Sequence, residues 1–282
     1  SGPGVYCNGT APAISNCRIL NCAGTNGGAF FQNGGSGTLR NCFIQGCTAS
    51  SGGGGVNIYN GSPSISNCCI VDCQSPNGGG IWVYAGASQI VNCSLYNNQS
   101  ANGGGIGATS PGSTAIKNII LWNNGDDLRG FASASVTYCN IEDGDFVGTN
   151  GNISSSPMFY NAAAKDLHLL QPSPCINMGT STGAPTNDLD GLERPFGAGI
   201  DMGCYEWSGV SVKQVDVIDG LNVDLIYSEA VGAGVLATAN YTVSGTGRGA
   251  LALHPDSVNL VSGNTYRLTW ISGEMLIGGD VT

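Results

Sequence analysis

Charge is scarce in this chain. Asp, Glu, Lys and Arg together make up 10% of its 282 residues, against about 25% in an ordinary globular domain. Basic residues are the rarer sign, nine against nineteen acids, for a net charge of −10. That balance argues against nucleic acid and anionic membranes as partners, because both are recognised through clusters of Lys and Arg. Histidine occurs only at positions 168 and 254. Neither His168 nor His254 sits in a Ser-His-Asp context, which disfavours that route to hydrolysis. No uninterrupted apolar run nears the roughly 20 residues of a membrane-spanning helix. Across residues 1–125 the lone acid is Asp72, and the bases are Arg18, Arg40 and Lys117. Calcium-dependent polysaccharide cleavage needs several acids plus a base, and glycoside hydrolysis needs clustered carboxylates. One acid supplies neither. A Gly-x-x-x-x-Gly-Lys loop is missing too, so the glycine runs read as turns and not as a phosphate cradle. The expectation is a protein that is not an enzyme and needs no cofactor.

Repetition is what the chain does have. A Gly-rich stretch, an apolar strand and an Asn-Cys pair recur at Asn16, Asn41, Asn67, Asn92 and, with Ile in place of Cys, Asn118, spaced 25, 26, 25 and 26 residues apart. A fixed period in this range marks a solenoid whose coils bury their apolar faces on one another. Two residues before each Asn stand Ile14, Leu39, Ile65, Ile90 and Ile116; three after stand Ile19, Ile44, Ile70, Leu95 and Leu121. One after are Cys17, Cys42, Cys68, Cys93 and Ile119, and six after are Cys22, Cys47, Cys73, Asn98 and Asn124. Intervening positions, such as Arg18, Arg40, Phe43, Cys69 and Lys117, are chemically mixed, as an outward face should be. This is period-two alternation broken by a bend at the Asn, not a helical period. Glycine, 46 of 282 residues without a Gly-X-Y period, is expected to supply positive-φ returns. A coil of this length with short strands is a rung of a parallel β-helix, with rungs about 4.8 Å apart. The Asn column is expected to hydrogen-bond its own rung and the next.

Twelve cysteines in a chain read as secreted raise the question of disulfides. Stacked positions hold Cβ atoms about 4.8 Å apart, beyond the roughly 3.5–4.5 Å a disulfide prefers. The column Cys17, Cys42, Cys68 and Cys93, with Cys22, Cys47 and Cys73, therefore reads as small hydrophobes filling the core, cross-rung disulfides being the alternative. Cys175 and Cys204 stand outside the repeat, and a bridge between them is open.

Residues 1–150 resemble the secreted right-handed parallel β-helix families, whose rungs carry Ile-Ser-Asn-Cys-x-Ile motifs. From Val136 the period breaks, and Ser173-Pro174-Cys175-Ile176, Asp188-x-x-Gly191-x-x-Arg194-Pro195 and Asp201-Met202-Gly203-Cys204-Tyr205-Glu206 follow. Residues 136–207 resemble the C-terminal part of the "choice-of-anchor Q" surface proteins. The departures are Met202 and Cys204, where that family commonly has Ile and Ala. The resemblance implies display on a bacterial surface, with this segment as terminal rungs and a cap on the solenoid end. Asp188, Asp190, Glu193 and Asp201 offer hard oxygen ligands for calcium; the plainer reading is Asx turns and an Arg194 ion pair with Asp201 or Glu206. Asp126, Asp127, Glu142, Asp143 and Asp145 read as a solvated loop, with a sugar- or calcium-binding edge as the sharper alternative.

After Ser208, short alternating stretches at 210–212, 221–227, 240–243, 257–261 and 265–270 suit an antiparallel β-sandwich. Tyr227-Ser228-Glu229-Ala230-Val231, Asn240-Tyr241-Thr242-Val243 and Gly263-Asn264-Thr265-Tyr266 resemble the Ig-like repeats of bacterial surface-layer proteins. The expected organisation is thus all-β: helix repeats over 1–135, terminal rungs and cap over 136–207, and a sandwich over 208–282 lacking an edge strand. The start partway through a repeat suggests a piece of a secreted precursor, placed outside the cell. Self-association into an extracellular filament or surface layer, through the chain ends and the sandwich edge, is the expected role. Glycan binding by Tyr59, Trp82, Tyr84, Tyr96 and Trp122 is the alternative.

Overall fold

The structure, a computed structural model, describes residues 2–210, 212–228 and 233–276. Two compact units divide between Trp207 and Ser208.

The first unit is a parallel β-solenoid of three six-stranded sheets. The first sheet stacks Val5–Asn8, Phe30–Asn33, Val56–Asn60, Ile81–Ala85, Ile106–Ser110 and Leu128–Arg129. The second stacks Ala13–Ser15, Thr38–Arg40, Ser64–Ser66, Gln89–Val91, Ala115–Lys117 and Val136–Thr137. The third stacks Arg18–Leu20, Phe43–Gln45, Cys69–Val71, Ser94–Tyr96, Ile120–Trp122 and Asn140–Ile141. Every pairing is parallel and in register with the columns, so Ile65 faces Leu39 on one side and Ile90 on the other. Inward residues of the three sheets merge into one core, in which Leu39, Ile44, Ile58, Ile65, Ile70, Ile81, Ile90 and Leu95 are wholly buried.

The bends follow a rule different from the one expected of glycine. Asn16, Asn41, Asn67, Asn92 and Asn118 adopt φ between 48° and 55°. The left-handed region is therefore occupied by Asn, whose short side chain tolerates it. Most glycines of the returns have ordinary φ and serve a packing purpose. A Cβ on Gly54 would lie 2.5 Å from the Gly79 carbonyl oxygen, and one on Gly80 would lie 2.7 Å from that of Gly105. Adjacent coils run too close there for any side chain.

The segment 136–207 does two separate things, and only its first part closes the solenoid end. Ile153 bonds both Ile141 and Cys139 across the last rung, Asn152 Oδ1 accepts from Cys139 N at 2.9 Å, and Phe131 and Phe146 pack against the core. Residues 157–207 then turn back and lie along the flank of the solenoid as a strap, over the outward face of the third sheet. Its hairpin, Phe159–Asn161 with Asp166–Leu169, is antiparallel. Leu167, Cys204 and Tyr205 bury Cys69 and Val71; Leu169, Cys175 and Met202 bury Ile120. From the third rung on the outward face is largely apolar, with Cys69, Val71, Tyr96, Ile120 and Trp122, and its polar Ser94 and Asn140 bond the strap directly.

The second unit holds one antiparallel sheet among its described residues, ordered Val212–Asp219, Asn222–Tyr227, Thr265–Thr269, Ser257–Ser262. One face is buried by Val223, Leu225, Val258, Tyr266, Leu268 and Trp270 with Val243, Leu251 and Met275. A second packed sheet is not formed by the described residues: 240–243 is a short turn of 3-10 helix and irregular chain where a strand was expected. Ser211, Glu229 to Val231 and Asp280 to Thr282, on which parts of the sandwich expectation rest, lie outside the described residues.

Candidate functional site

Three side-chain ladders run up the solenoid, and the strap is built onto them. The bend asparagines form the first. Asn41 Nδ2 donates to Asn16 Oδ1 at 3.2 Å, Asn67 to Asn41 at 3.1 Å, and Asn118 to Asn92 at 3.0 Å. The bonds run side chain to side chain between rungs, not into the backbone of the same rung. Between Asn67 and Asn92 the ladder changes partner. Asn92 Nδ2 donates instead to the Asp201 and Gly203 carbonyls of the strap at 3.0 and 3.2 Å. Asn67 reaches the Asn187 carbonyl at 2.5 Å and Asn118 that of Thr180 at 2.8 Å. The strap thus gives the amide N–H groups of Asn67, Asn92 and Asn118 acceptors, while the buried Asn67 Oδ1 has no partner among the described residues.

A second bend column lies five residues after the first, at Asn21, Gly46, Asp72, Asn97 and Asn123, again at positive φ. Its 25–26 residue spacing was present in the sequence, hidden because Gly and Asp interrupt the Asn identity. Asp72 is its hub: it accepts from Asn97 at 2.6 Å and Gln45 at 3.2 Å and pairs with strap Lys165 at 2.7 Å. Burial works to raise the Asp72 pKa, but Lys165, Asn97 and Gln45 outweigh it and hold the carboxyl below its ordinary value.

The third ladder faces inward. Cys22, Cys47 and Cys73 give way to Asn98 and Asn124, whose amides bond each other at 3.0 Å. Asn124 then donates to buried Asp127 at 2.9 Å. Asp127 closes the column by accepting the amides of Glu142 and Asp143 at 2.8 and 3.3 Å. Burial pushes its pKa up to about 6. A cysteine column replaced by polar Asn near the capped end is a transition from apolar filling to a hydrogen-bonded plug.

All twelve cysteines are free thiols. Cys42, Cys68, Cys93 and Cys139 are wholly buried, and each donates its thiol to the carbonyl two residues earlier. Cys17 is exposed on the first rung. Cys175 and Cys204 are not joined. Cys175 accepts from Asn140 Nδ2 at 3.1 Å in the cluster around Met202, whereas Cys204 lies in the cluster of Cys69. Cys175 pairs by its carbonyl with the Met202 amide at 3.0 Å, and Cys204, two residues further on, lies over the neighbouring cluster.

The proposed calcium ligands do not converge. Asp188 is buried and accepts the amides of Asp190, Leu192 and Glu206 at 2.9, 2.8 and 2.8 Å. Asp201 accepts those of Asn177 and Trp207 at 2.7 and 2.6 Å, and burial lifts its pKa to about 7. Asp190 bonds His168 Nε2 at 2.8 Å, while Glu193 is exposed. Turn formation and ion pairing account for these residues. Arg194 is wholly buried with Glu206 at 2.6 Å and also donates to the Asp201 and Gly203 carbonyls at 3.3 and 3.1 Å. Glu206 accepts from Phe196 N at 3.0 Å and Asp201 N at 3.2 Å. This hub fixes the carbonyls that Asn92 reads.

His168 is clamped between Asp166 and Asp190 and stacks on Tyr205, ring centroids 3.8 Å apart. Burial lowers its pKa, but the bonds to Asp190 and Asp166 and their charges prevail and lift it to about 9. The acids that do gather are Asp126, Asp143 and Asp145, the one group among the described residues whose ligand atoms could hold a metal. Two already serve the cap: Asp126 accepts Gly103 N at 3.1 Å, and Asp143 accepts Asp127 N at 2.8 Å.

The five aromatics do not form one platform. Tyr59 and Tyr84 stack face to face at 4.8 Å and remain exposed, whereas Tyr96 and Trp122 pack under the strap.

Residues 1–120 match the family model described as "Right handed beta helix region". Together with the three parallel sheets, this makes the solenoid a right-handed parallel β-helix. No curated protein and no solved structure matches the chain.

Proposed function

We propose that the protein is a non-enzymatic structural element displayed outside the cell, of the surface type that residues 136–207 resemble. The observation that carries this reading is the use of its buried ionisable groups. Asp127, Asp188, Asp201, Arg194 and Glu206 are each engaged by backbone amides, by carbonyls or by one another within the fold. Groups poised for acid–base work face a cleft instead. The strap ties three successive rungs together through Asn67, Asn92 and Asn118, which suits a spacing element.

We infer that self-association, where it occurs, uses the first rung. Val5–Asn8, Ala13–Ser15 and Arg18–Leu20 are the outer strands of their sheets. Val5, Ile14, Ile19, Leu20 and Cys22 line an open recess of about 480 Å³ beside them. Strand edges beside apolar side chains accept another β-rung, and for the isolated 282-residue chain that rung would come from a second copy. The other solenoid end is covered by 142–153, so two isolated chains would meet first rung to first rung, an isologous contact. The test is light scattering and negative-stain microscopy of the purified chain, with Ile14→Asp as the disrupting variant. A dimer that Ile14→Asp dissociates supports the reading. Monomers at every concentration, or polysaccharide cleavage lost on substituting Asp126 and Asp143, would overturn it.

A further inference from the structure

The solenoid unit carries six cationic side chains, against twelve acids. Four of the six are engaged. Arg18 lies 4.7 Å over the Phe43 ring, Arg129 faces Asp126 at 3.8 Å, Lys165 meets Asp72, and Arg194 is buried with Glu206. The other two, Arg40 and Lys117, have no acidic or aromatic partner among the described residues, and both line one groove of about 330 Å³.

The groove crosses the outer face of the second sheet and is walled by Thr182, Gly183 and Pro185 of the strap. Register sets Arg40, Ser66, Val91 and Lys117 side by side on successive strands. The backbones of the two cations are therefore three strand spacings apart, about 14 Å. Ser64 and Gln89 form the neighbouring row. No carboxylate lines the groove, although acids outnumber bases twofold in the unit. Two long cations left unpaired on one surface, in a protein otherwise short of positive charge, lack only an external anion.

We propose that this groove binds an acidic oligosaccharide, a hydroxyl-rich chain bearing carboxylate or sulfate groups. Arg40 and Lys117 take the anionic groups, Arg40 in the planar two-point manner open to guanidinium. Ser64, Ser66, Gln89 and Thr182 supply donors and acceptors for sugar hydroxyls. The lining favours a sugar chain over an acidic peptide. These strands are paired on both sides within their sheet, so they offer no edge to which a peptide backbone could add. Val91 and Pro185 are the only sizeable apolar groups in the lining, too few to seat peptide side chains. The site is separate from the first-rung edge, and a groove that binds nothing would leave the structural reading standing.

Calorimetry of the full chain with tetragalacturonate and tetramannuronate tests the assignment, with cellotetraose and a tetraglutamate peptide beside them. The uronates are expected to bind, more weakly as salt rises, and the neutral sugar and the peptide are not. Arg40→Gln and Lys117→Gln should each lower uronate affinity about tenfold, the scale of one charge-assisted hydrogen bond, and Arg129→Gln should leave it unchanged. Both groove positions face outward, so circular dichroism should show an intact fold. Bound uronate should also slow acylation of Lys117 relative to exposed Lys213. No uronate binding, binding indifferent to both substitutions, or tighter binding of tetraglutamate would each overturn the proposal.

Discussion

The solenoid and the strap along its flank are stabilised in opposite ways. In the solenoid each contact is one copy of a motif: Ile65 lies between Leu39 and Ile90 as Ile70 lies between Ile44 and Leu95. In the strap each contact occurs once. Arg194 and Glu206 have no counterpart elsewhere in the unit, and the carbonyls they hold are those read by Asn92. Repetition distributes the loss of any single side chain over many neighbours. A unique polar hub concentrates it.

The sharpest way to break this contrast is Arg194→Met, which leaves Glu206 buried without its partner. Removing one member of a buried pair costs about 3–5 kcal/mol, and urea unfolding should show a loss of that size. Arg194→Met combined with Glu206→Gln should recover part of it, because the stranded charge is gone. Asn92→Ala comes next. It removes donors to two strap carbonyls, a loss of about 1–3 kcal/mol for buried polar groups left unmade. Asn16→Ala, at an exposed bend of the first rung, should cost less in the same assay. Cys68→Val, inside a repeated column, should change stability by under about 1.5 kcal/mol, because volume and not the thiol is what that position needs.

Oxidation sharpens the comparison further. Ser94 is the strand neighbour of Cys69, and its hydroxyl accepts the Cys204 amide at 3.1 Å, which brings the Cys204 thiol against that of Cys69. Treatment with a small disulfide in mild denaturant should give a Cys69–Cys204 link between solenoid and strap by peptide mapping. A Cys175–Cys204 link would contradict the packing described.

The sequence carried the solenoid plainly because the same residue types return every 25 or 26 positions, and ladders need nothing more to be recognised. It carried the strap poorly. Asn92 meets Asp201, and Ser94 meets Cys204, more than a hundred residues away, and no period announces such pairs. A signal did exist: outward positions of the third sheet turn from Arg18 and Gln45 to Cys69, Val71, Ile120 and Trp122. Apolar residues on a nominally solvated face ask for a cover. For the calcium expectation, Asp188 and Asp201 showed their acidity in the sequence but not the backbone amides that occupy them. Arg40 and Lys117 were visible as two of the three bases in residues 1–125, yet only the register sets them on one face.

The effect of pH is spread over several groups. Asp127, Asp201 and His168 all have raised pKa values in the folded protein. Each binds its proton more tightly folded than unfolded, so its contribution is full below the unfolded value and fades as pH rises. The window runs from about 4 to 6 or 7 for the two aspartates and from about 6.5 to 9 for His168. Asp72 acts in the opposite sense and loses its contribution as pH falls through the acid range. With His168 two-fifths exposed, its share is small. Thermal melts should fall modestly from pH 5 to 9, and His168→Gln should flatten the upper part of that decline.

Hydrogen exchange read by mass spectrometry on the wild type and on Arg194→Met tests the central claim most directly. The account predicts that the variant loses protection across 157–207 while 30–122 stays protected, because the ladders hold without the hub. Equal loss of protection over 30–122, or a strap as protected as in the wild type, would contradict it.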